Sequence, residues 1–196
     1  MNKWDARMLD LAALIATWSK DPSTGVGAVI VDPQNRVVSM GYNGFPRAVD
    51  DSQEALLDRD EKLRRTIHAE DNALLFAQRD VTGCTIYTTH PPCARCAAKI
   101  IQAGIGRVVT PEAAEDFVAR WADDTASARA MFAEAGVRVD VCGGGLQVER
   151  RSPAEVLTRV KLTDKEARHH SVSAVAYWNN AVAACIAALS VQGGEA

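Results

Sequence analysis

The amino-acid sequence predicts an α/β protein of three layers, a central mixed sheet with helices on both faces, followed by a C-terminal extension. Strand and helix signals run in the order ββαβαβαβ, which layers helices over a mixed sheet. The first two strands fall close enough together to make a hairpin. With 196 residues, 47% hydrophobic and 24% charged, the chain carries enough apolar sequence for one well-buried core, so one domain with a tail is expected. The domain is read as residues 1–141 and the extension as 142–196.

Residues 3–18 place Trp4, Met8, Leu11, Leu14, Ile15 and Trp18 at helical spacing, and Asp21-Pro22 stops the helix. The apolar run from Val26 ends in Asp32-Pro33-Gln34-Asn35, and residues 36–42 return as the second strand of a hairpin. A glycine-rich turn, residues 41–46, closes it. Residues 50–66 are highly charged, with Leu56, Leu57 and Leu63 at helical spacing, and read as an exposed helical insertion with a solvated face. Residues 67–78 have helical propensity, 85–89 form a β-branched and aromatic strand, and Pro92 precedes a helix to about Ala103. Residues 107–110 give another strand, 112–135 a helix stopped by Gly136, and 137–141 a final alternating strand.

A net charge of −3 and a pI near 5.8, with only 6% aromatic residues, give no footprint for binding nucleic acid. A small anionic ligand in a pocket remains compatible. The first ten residues carry charges and no continuous apolar core, so no secretory signal is read and a cytoplasmic location is expected. Five cysteines, two of them in a Cys-x-x-Cys pair, suit a reducing compartment and metal binding. Cys84, Cys142 and Cys185 read as small buried hydrophobes. Residues 172–191 are uncharged but Ala-rich, with Asn179 and Asn180 in the middle, which favours a buried helix or subunit contact over a membrane span.

His68-Ala69-Glu70 opens one helix, and Pro92-Cys93-Ala94-Arg95-Cys96 opens the next after an intervening strand. One imidazole and two thiolates, from His68, Cys93 and Cys96, suit Zn²⁺, and three protein ligands leave the fourth tetrahedral position for water. Glu70, two residues from His68, stands where it can move protons without binding the metal. A Cys-x-x-Cys by itself describes a redox pair or half of a structural zinc site equally well, and a His-x-Glu by itself says almost nothing. Together, in this order, they match the deaminase signature H-x-E…P-C-x-x-C.

The chain resembles the deoxycytidylate (dCMP) deaminases of the cytidine deaminase superfamily over roughly its first 140 residues. The resemblance rests on residues 19–24 (Ser-Lys-Asp-Pro-Ser-Thr), 41–46 (Gly-Tyr-Asn-Gly-Phe-Pro), 68–73 (His-Ala-Glu-Asp-Asn-Ala), 89–96 (Thr-His-Pro-Pro-Cys-Ala-Arg-Cys) and 101–105. It implies a cytidine deaminase-like fold and conversion of dCMP to dUMP and ammonia, feeding thymidylate synthesis. By the same resemblance Asn43 binds the sugar hydroxyl, the Ala69 N–H meets the pyrimidine carbonyl, and the Pro92 carbonyl accepts from the amino group being lost. Read from its own residues, Asn43 could equally be a turn residue tolerating positive φ. Lys20 and Thr24 are the candidate phosphate donors, ahead of Arg64 and Arg65.

Some members of the family are activated by dCTP and inhibited by dTTP in a hexamer, which makes these nucleotides candidate effectors and a homo-oligomer the expected assembly. Phe76 and Arg79 fit the pattern of the regulated type, although core packing and helix-end charge would also explain them. His90, just before the cysteines, is read as a neighbour of the site and not a fourth ligand, since four protein ligands would exclude water. A deaminase of single-stranded nucleic acid, one acting on cytidine, guanine or a modified dCMP, a non-catalytic zinc sensor and a thiol oxidoreductase are the competing readings.

Overall fold

The computed structural model describes residues 2–143. Its helices are α1 (Lys3–Ala16), α2 (Gln53–Leu57), α3 (Arg59–Arg65), α4 (Ala69–Phe76), α5 (Ala94–Gln102) and α6 (Glu115–Glu134). Its strands are β1 (Gly27–Val31), β2 (Val37–Tyr42), β3 (Thr85–Thr88), β4 (Arg107–Pro111) and β5 (Arg138–Cys142). They form one sheet in the order β2-β1-β3-β4-β5. β1 runs antiparallel to both β2 and β3, while β3, β4 and β5 are parallel, so the sheet is mixed as the sequence predicts.

Period-two alternation divides the strands between two apolar layers. Ala28, Ile30, Ile86 and Val108 pack with Ala69, Ala73, Ala97, Ile100, Ala128 and Phe132 of α4, α5 and α6. Val29, Val31, Tyr87 and Val109 pack on the other face with Met8, Leu9, Ala12 and Ile15 of α1. Covering both faces is why β1 reads as the unbroken apolar run Gly-Ala-Val-Ile-Val. Each fully buried aliphatic side chain in these layers contributes about 1.5–3 kcal/mol.

α1 begins at Asn2, whose side chain accepts from the Trp4 and Asp5 N–H groups while Asp5 reaches back to the Asn2 N–H, a reciprocal capping box. The helix ends at Ala16, short of the expected residue 18, because the chain turns at Thr17. Trp18 is exposed there and meets Tyr42 edge-on at 6.2 Å. Asp5 is 2% exposed, a buried charge that helical periodicity does not reveal. Its carboxylate accepts from Arg107 Nη1 at 2.8 Å and from the Tyr87 hydroxyl at 3.0 Å, and Arg107 Nε donates to Asp140 at 2.7 Å.

The charged segment 50–66 is helical as expected, but as two short helices and not wholly solvated. It breaks at Asp58, which ends α2 and caps α3 by accepting from the Asp60 and Glu61 N–H groups. Leu57 and Leu63 do face solvent, but Leu56 and Lys62 are buried. Cys84 and Cys142 are buried apolar fillers, in line with the sequence reading. The apolar segment 172–191, Cys185, His169 and His170 lie outside the described residues. Among the described residues no helix is long and apolar enough to cross a membrane.

Candidate active site

Strand register gathers the site at one end of the sheet. Gly27 pairs with Tyr42, and Ala28 with both Gly41 and Thr88, so the start of β1 and the ends of β2 and β3 lie side by side. The loops leaving these ends carry residues 21–26, Asn43 and residues 89–93. A bridge between Gly44 and Ile67, with N–H···O distances of 3.1 and 2.8 Å, brings the start of α4 to the same edge. Gly41 permits that approach: a Cβ there would stand 2.4 Å from the Ala69 carbonyl oxygen.

His68 and Cys93 are the N-cap residues of α4 and α5, both in extended backbone conformation. His68 Nδ1 lies 3.5 Å from Cys93 Sγ and 3.3 Å from Cys96 Sγ, and the three candidate ligand atoms all fall within 4.8 Å of one another. A tetrahedral Zn²⁺ with ordinary bond lengths sets its nitrogen and sulfur ligands about 3.6 Å apart, so donor chemistry and spacing both fit this metal. The Cys96 N–H points at Cys93 Sγ at 3.4 Å, one of the free amides at the α5 N-terminus that favour a thiolate.

Hydrogen bonding from Cys96, with that to His68, holds the Cys93 thiol down at about 4 against the opposing effect of burial. The same contact with Cys93, and burial, push the Cys96 thiol far up, and hydrogen bonding to Cys93 raises His68 to about 8. His68, Cys93 and Cys96 would hold a divalent cation as a neutral imidazole and two thiolates, which would resolve this competition. Glu70 is 4% exposed, and burial lifts its carboxyl to about 7, where it can both take and give a proton near neutral pH.

A cavity of about 300 Å³ opens over this cluster, at the lower end of small-ligand sites. His68, Ala69, Glu70 and Cys93 line it together with Thr24 and Asn43, so six of the residues singled out by sequence share one space. Cys96 is buried behind Cys93. Pro91 lines the cavity and Pro92 is buried beside it. His90 lines the wall and packs on Phe117 at 5.4 Å; it is not part of the three-residue cluster.

Asn43 does not have the positive φ of the turn alternative. Its amide ties down the loop before β1, accepting from the Val26 N–H at 2.7 Å and donating to the Thr24 carbonyl at 3.0 Å, with one N–H left over. Lys20 is not brought to the cavity: it faces solvent and pairs with Asp51 at 2.8 Å. Arg64 and Arg65 pair with Glu61 and line a second cleft with Arg95, Lys99, His68 and Cys96. Phe76 is 43% exposed under the Arg47 guanidinium, 4.7 Å from its ring, so core packing does not explain it. Arg79 follows the end of α4 and is exposed.

Sequence reasoning missed Ser23, Arg59 and Lys62, which line the cavity from one side, and Phe117, Trp121 and Asp124 of α6, which line it from the other. Nothing in the charged run marks Lys62. The aromatic pair Phe117 and Trp121, four residues apart in an otherwise Ala-rich helix, was a usable signal. Trp121 also leaves helical geometry, at φ −125° and ψ 22°, which bends α6 at the cavity.

This layout, a mixed five-stranded sheet under helices whose N-termini present His-x-Glu and Cys-x-x-Cys, is that of the cytidine deaminase-like fold. The family model of the cytidine and deoxycytidylate deaminase zinc-binding region matches residues 2–112, and the protein belongs to that family. An uncharacterized deaminase of the luxG 3′ region of Aliivibrio fischeri is 51% identical over 139 residues, covering 71% of this chain and 93% of the relative. The deoxycytidylate deaminase of Homo sapiens is 37% identical over 142 residues, covering 69% of this chain and 77% of the relative. Among solved structures, the dCMP deaminase of cyanophage S-TIM5 with dCMP and dUMP superposes with a TM-score of 0.58 at 23% identity. That match covers 72% of this chain and 99% of the phage protein, a likeness of fold.

Proposed function

We propose that the protein is a zinc-dependent hydrolase that converts dCMP and water to dUMP and ammonia. The observation that carries this reading is the buried Glu70 carboxyl lining the same cavity as His68 and Cys93. Relatives named deoxycytidylate deaminases, with substantial identity over most of the described chain, support the choice of nucleotide.

Zinc held by His68, Cys93 and Cys96 would supply the Lewis acidity that makes water a nucleophile near neutral pH. Glu70 takes one proton from the attacking water and delivers it to ring N3, then carries the proton of the new C4 hydroxyl to the amino group, so that the C4–N bond breaks to give the C4 carbonyl and ammonia. The Ala69 N–H holds the pyrimidine carbonyl, the Pro92 carbonyl accepts from the leaving amine, and the remaining Asn43 N–H donates to the sugar hydroxyl. A pure zinc or nucleotide sensor has no use for a buried carboxyl at this position, and a thiol oxidoreductase has no use for His68 and Glu70.

The proposal extends to a cytoplasmic homo-oligomer, hexameric by family resemblance, that supplies dUMP for thymidylate synthesis, with dCTP activating and dTTP inhibiting through Phe76 and Arg79. The exposed Phe76 ring under Arg47 supports a role outside the core. A deamination assay on dCMP, CMP, deoxycytidine and 5-methyl-dCMP, with and without each triphosphate, tests the reading. Turnover of dCMP above the others is expected. No turnover of any of them by zinc-loaded protein would overturn it.

A further inference from the structure

We propose that Asp71 and Lys99 are positioning residues of the metal site: their ion pair ties α4 to α5 behind Cys96 and so sets His68 against the Cys-x-x-Cys pair. The inference rests on the zinc reading above and adds to it two residues outside the three-ligand cluster. Both stand on the wall of the second cleft, which His68 and Cys96 also line, and neither lines the substrate cavity.

Asp71 follows His68 by three residues on α4, and Lys99 follows Cys96 by three on α5, so each lies about one turn from a ligand on the same side of its helix. An acid at the third position of a helix commonly reaches back to the amide that precedes it. Here both carboxylate oxygens are directed at α5: Oδ2 accepts from Lys99 Nζ, and Oδ1 lies 3.9 Å from Cys96 Sγ. Apart from Glu70 and Cys96, α4 buries only Ala69 and Ala73, and α5 only Ala97 and Ile100. Methyl groups let two helices lie close but interlock too little to fix how far one slides along the other. The polar tie supplies that constraint, and the 3.3 Å approach of His68 Nδ1 to Cys96 Sγ spans the same two helices.

The pairing also settles the charge. A lone carboxylate beside a metal-binding thiolate would set like charges together and oppose the site. With Lys99 on its other oxygen, Asp71 links the helices without adding net charge next to the sulfur. The Lys99 side chain is 55% exposed and that of Asp71 15%, so the pair adds little to the stability of the fold, and its effect falls on the metal site.

Lys99→Met tests this, because it removes the cation and leaves Asp71 unpaired beside the sulfur. Zinc affinity, read by chelator competition, is expected to fall about 10- to 100-fold, and Lys99→Arg to keep most of it. In the Asp71→Asn background Lys99→Met should change the affinity by less than about threefold, because the cation then has no carboxylate to offset. The thiolate-to-metal absorption of the Co²⁺-loaded protein gives a second measure that needs no turnover: the band is expected to shift or weaken in Lys99→Met and to match wild type in Lys99→Arg. The unfolding midpoint of the metal-free protein should stay at its wild-type value, which separates positioning from support of the fold. Wild-type affinity with an unchanged cobalt band in Lys99→Met, or an equal loss of affinity in both backgrounds, would overturn the tie. If His68→Ala and Cys96→Ala also leave zinc affinity unchanged, the zinc reading falls and the tie with it; if they abolish binding while Lys99→Met does not weaken it, the tie alone falls.

Discussion

The Asp124 carboxylate of α6 accepts from the Ala94 N–H, 3.1 Å away, in the first turn of the helix that carries Cys93 and Cys96. That amide is one of the four that an α-helix leaves without an internal partner, and Cys93 Sγ already faces the Cys96 N–H. Asp124 thereby fixes where α5 begins, and with it the direction of both thiols. Asp124→Ala is expected to weaken zinc binding about tenfold in chelator competition, while Asp124→Asn, which keeps an acceptor, retains most of the affinity.

Glu70→Gln keeps the shape of the side chain and removes the acid–base function proposed for it. Zinc content, measured by elemental analysis, is expected to stay at the wild-type level while kcat on dCMP falls about 10²- to 10⁴-fold. Substantial residual turnover would remove Glu70 from the proton-shuttle role.

Metal removal tests the ligand set. Dialysis against a strong chelator is expected to abolish turnover and to lower the unfolding midpoint, because a metal that binds only the folded state stabilises it by mass action. Added Zn²⁺ should restore both in wild type and neither in His68→Ala or Cys96→Ala.

The Asp5–Arg107 pair makes stability depend on acid pH. Burial acts to raise the Asp5 carboxyl, but hydrogen bonds from Arg107, the Asn2 backbone and Tyr87 outweigh it and hold the group below its ordinary value. A carboxyl with a lowered folded-state pKa binds its proton more weakly than the unfolded chain does. Its contribution is therefore complete above the unfolded pKa of about 3.9 and is lost as pH falls through the folded value. Urea midpoints should drop below about pH 4, and the slope should be shallower in Asp5→Asn. At pH 7 that variant is expected to lose about 3 kcal/mol, since it leaves Arg107 without its buried partner.

Gly41→Ala tests the approach of β2 to α4. The added methyl meets the Ala69 carbonyl oxygen and the Ala73 nitrogen, each 2.4 Å away, and both are backbone atoms. A loss of about 1–3 kcal/mol is expected in denaturant unfolding, with kcat falling as well because Ala69 and Glu70 must shift.

The local elements were largely legible because their signals are local. The unbroken run from Val26, the alternation of 137–141 and the helix-opening positions of His68 and Cys93 each follow from a few adjacent residues. The boundaries that slipped have local causes too: α1 stops at the turn after Ala16, and Asp58 divides the charged insertion by serving two helices at once. The candidate metal cluster was legible as chemistry, since one His-x-Glu and one Cys-x-x-Cys at two helix starts carry its three donors in the motif itself.

What the sequence alone determined is thus the layered α/β class, and it singled out His68, Cys93 and Cys96 as candidate metal donors and Glu70 as the candidate acid–base group. Only the tertiary structure decided which charges are buried and which line the cavity. Lys62 and Arg64 stand two residues apart in the same polar run, yet one turns inward to Asp21 and Ser23 while the other pairs with Glu61 in solvent. Lys20 and Thr24 lie in one loop, but only Thr24 reaches the ligand space. Asp5 looks like an ordinary first-turn acid until folding brings Arg107, 102 residues away, against it. Helix and strand periodicity report on the apolar stripe an element must bury, whereas the partner of a charge is set by long-range packing, and no local pattern encodes it.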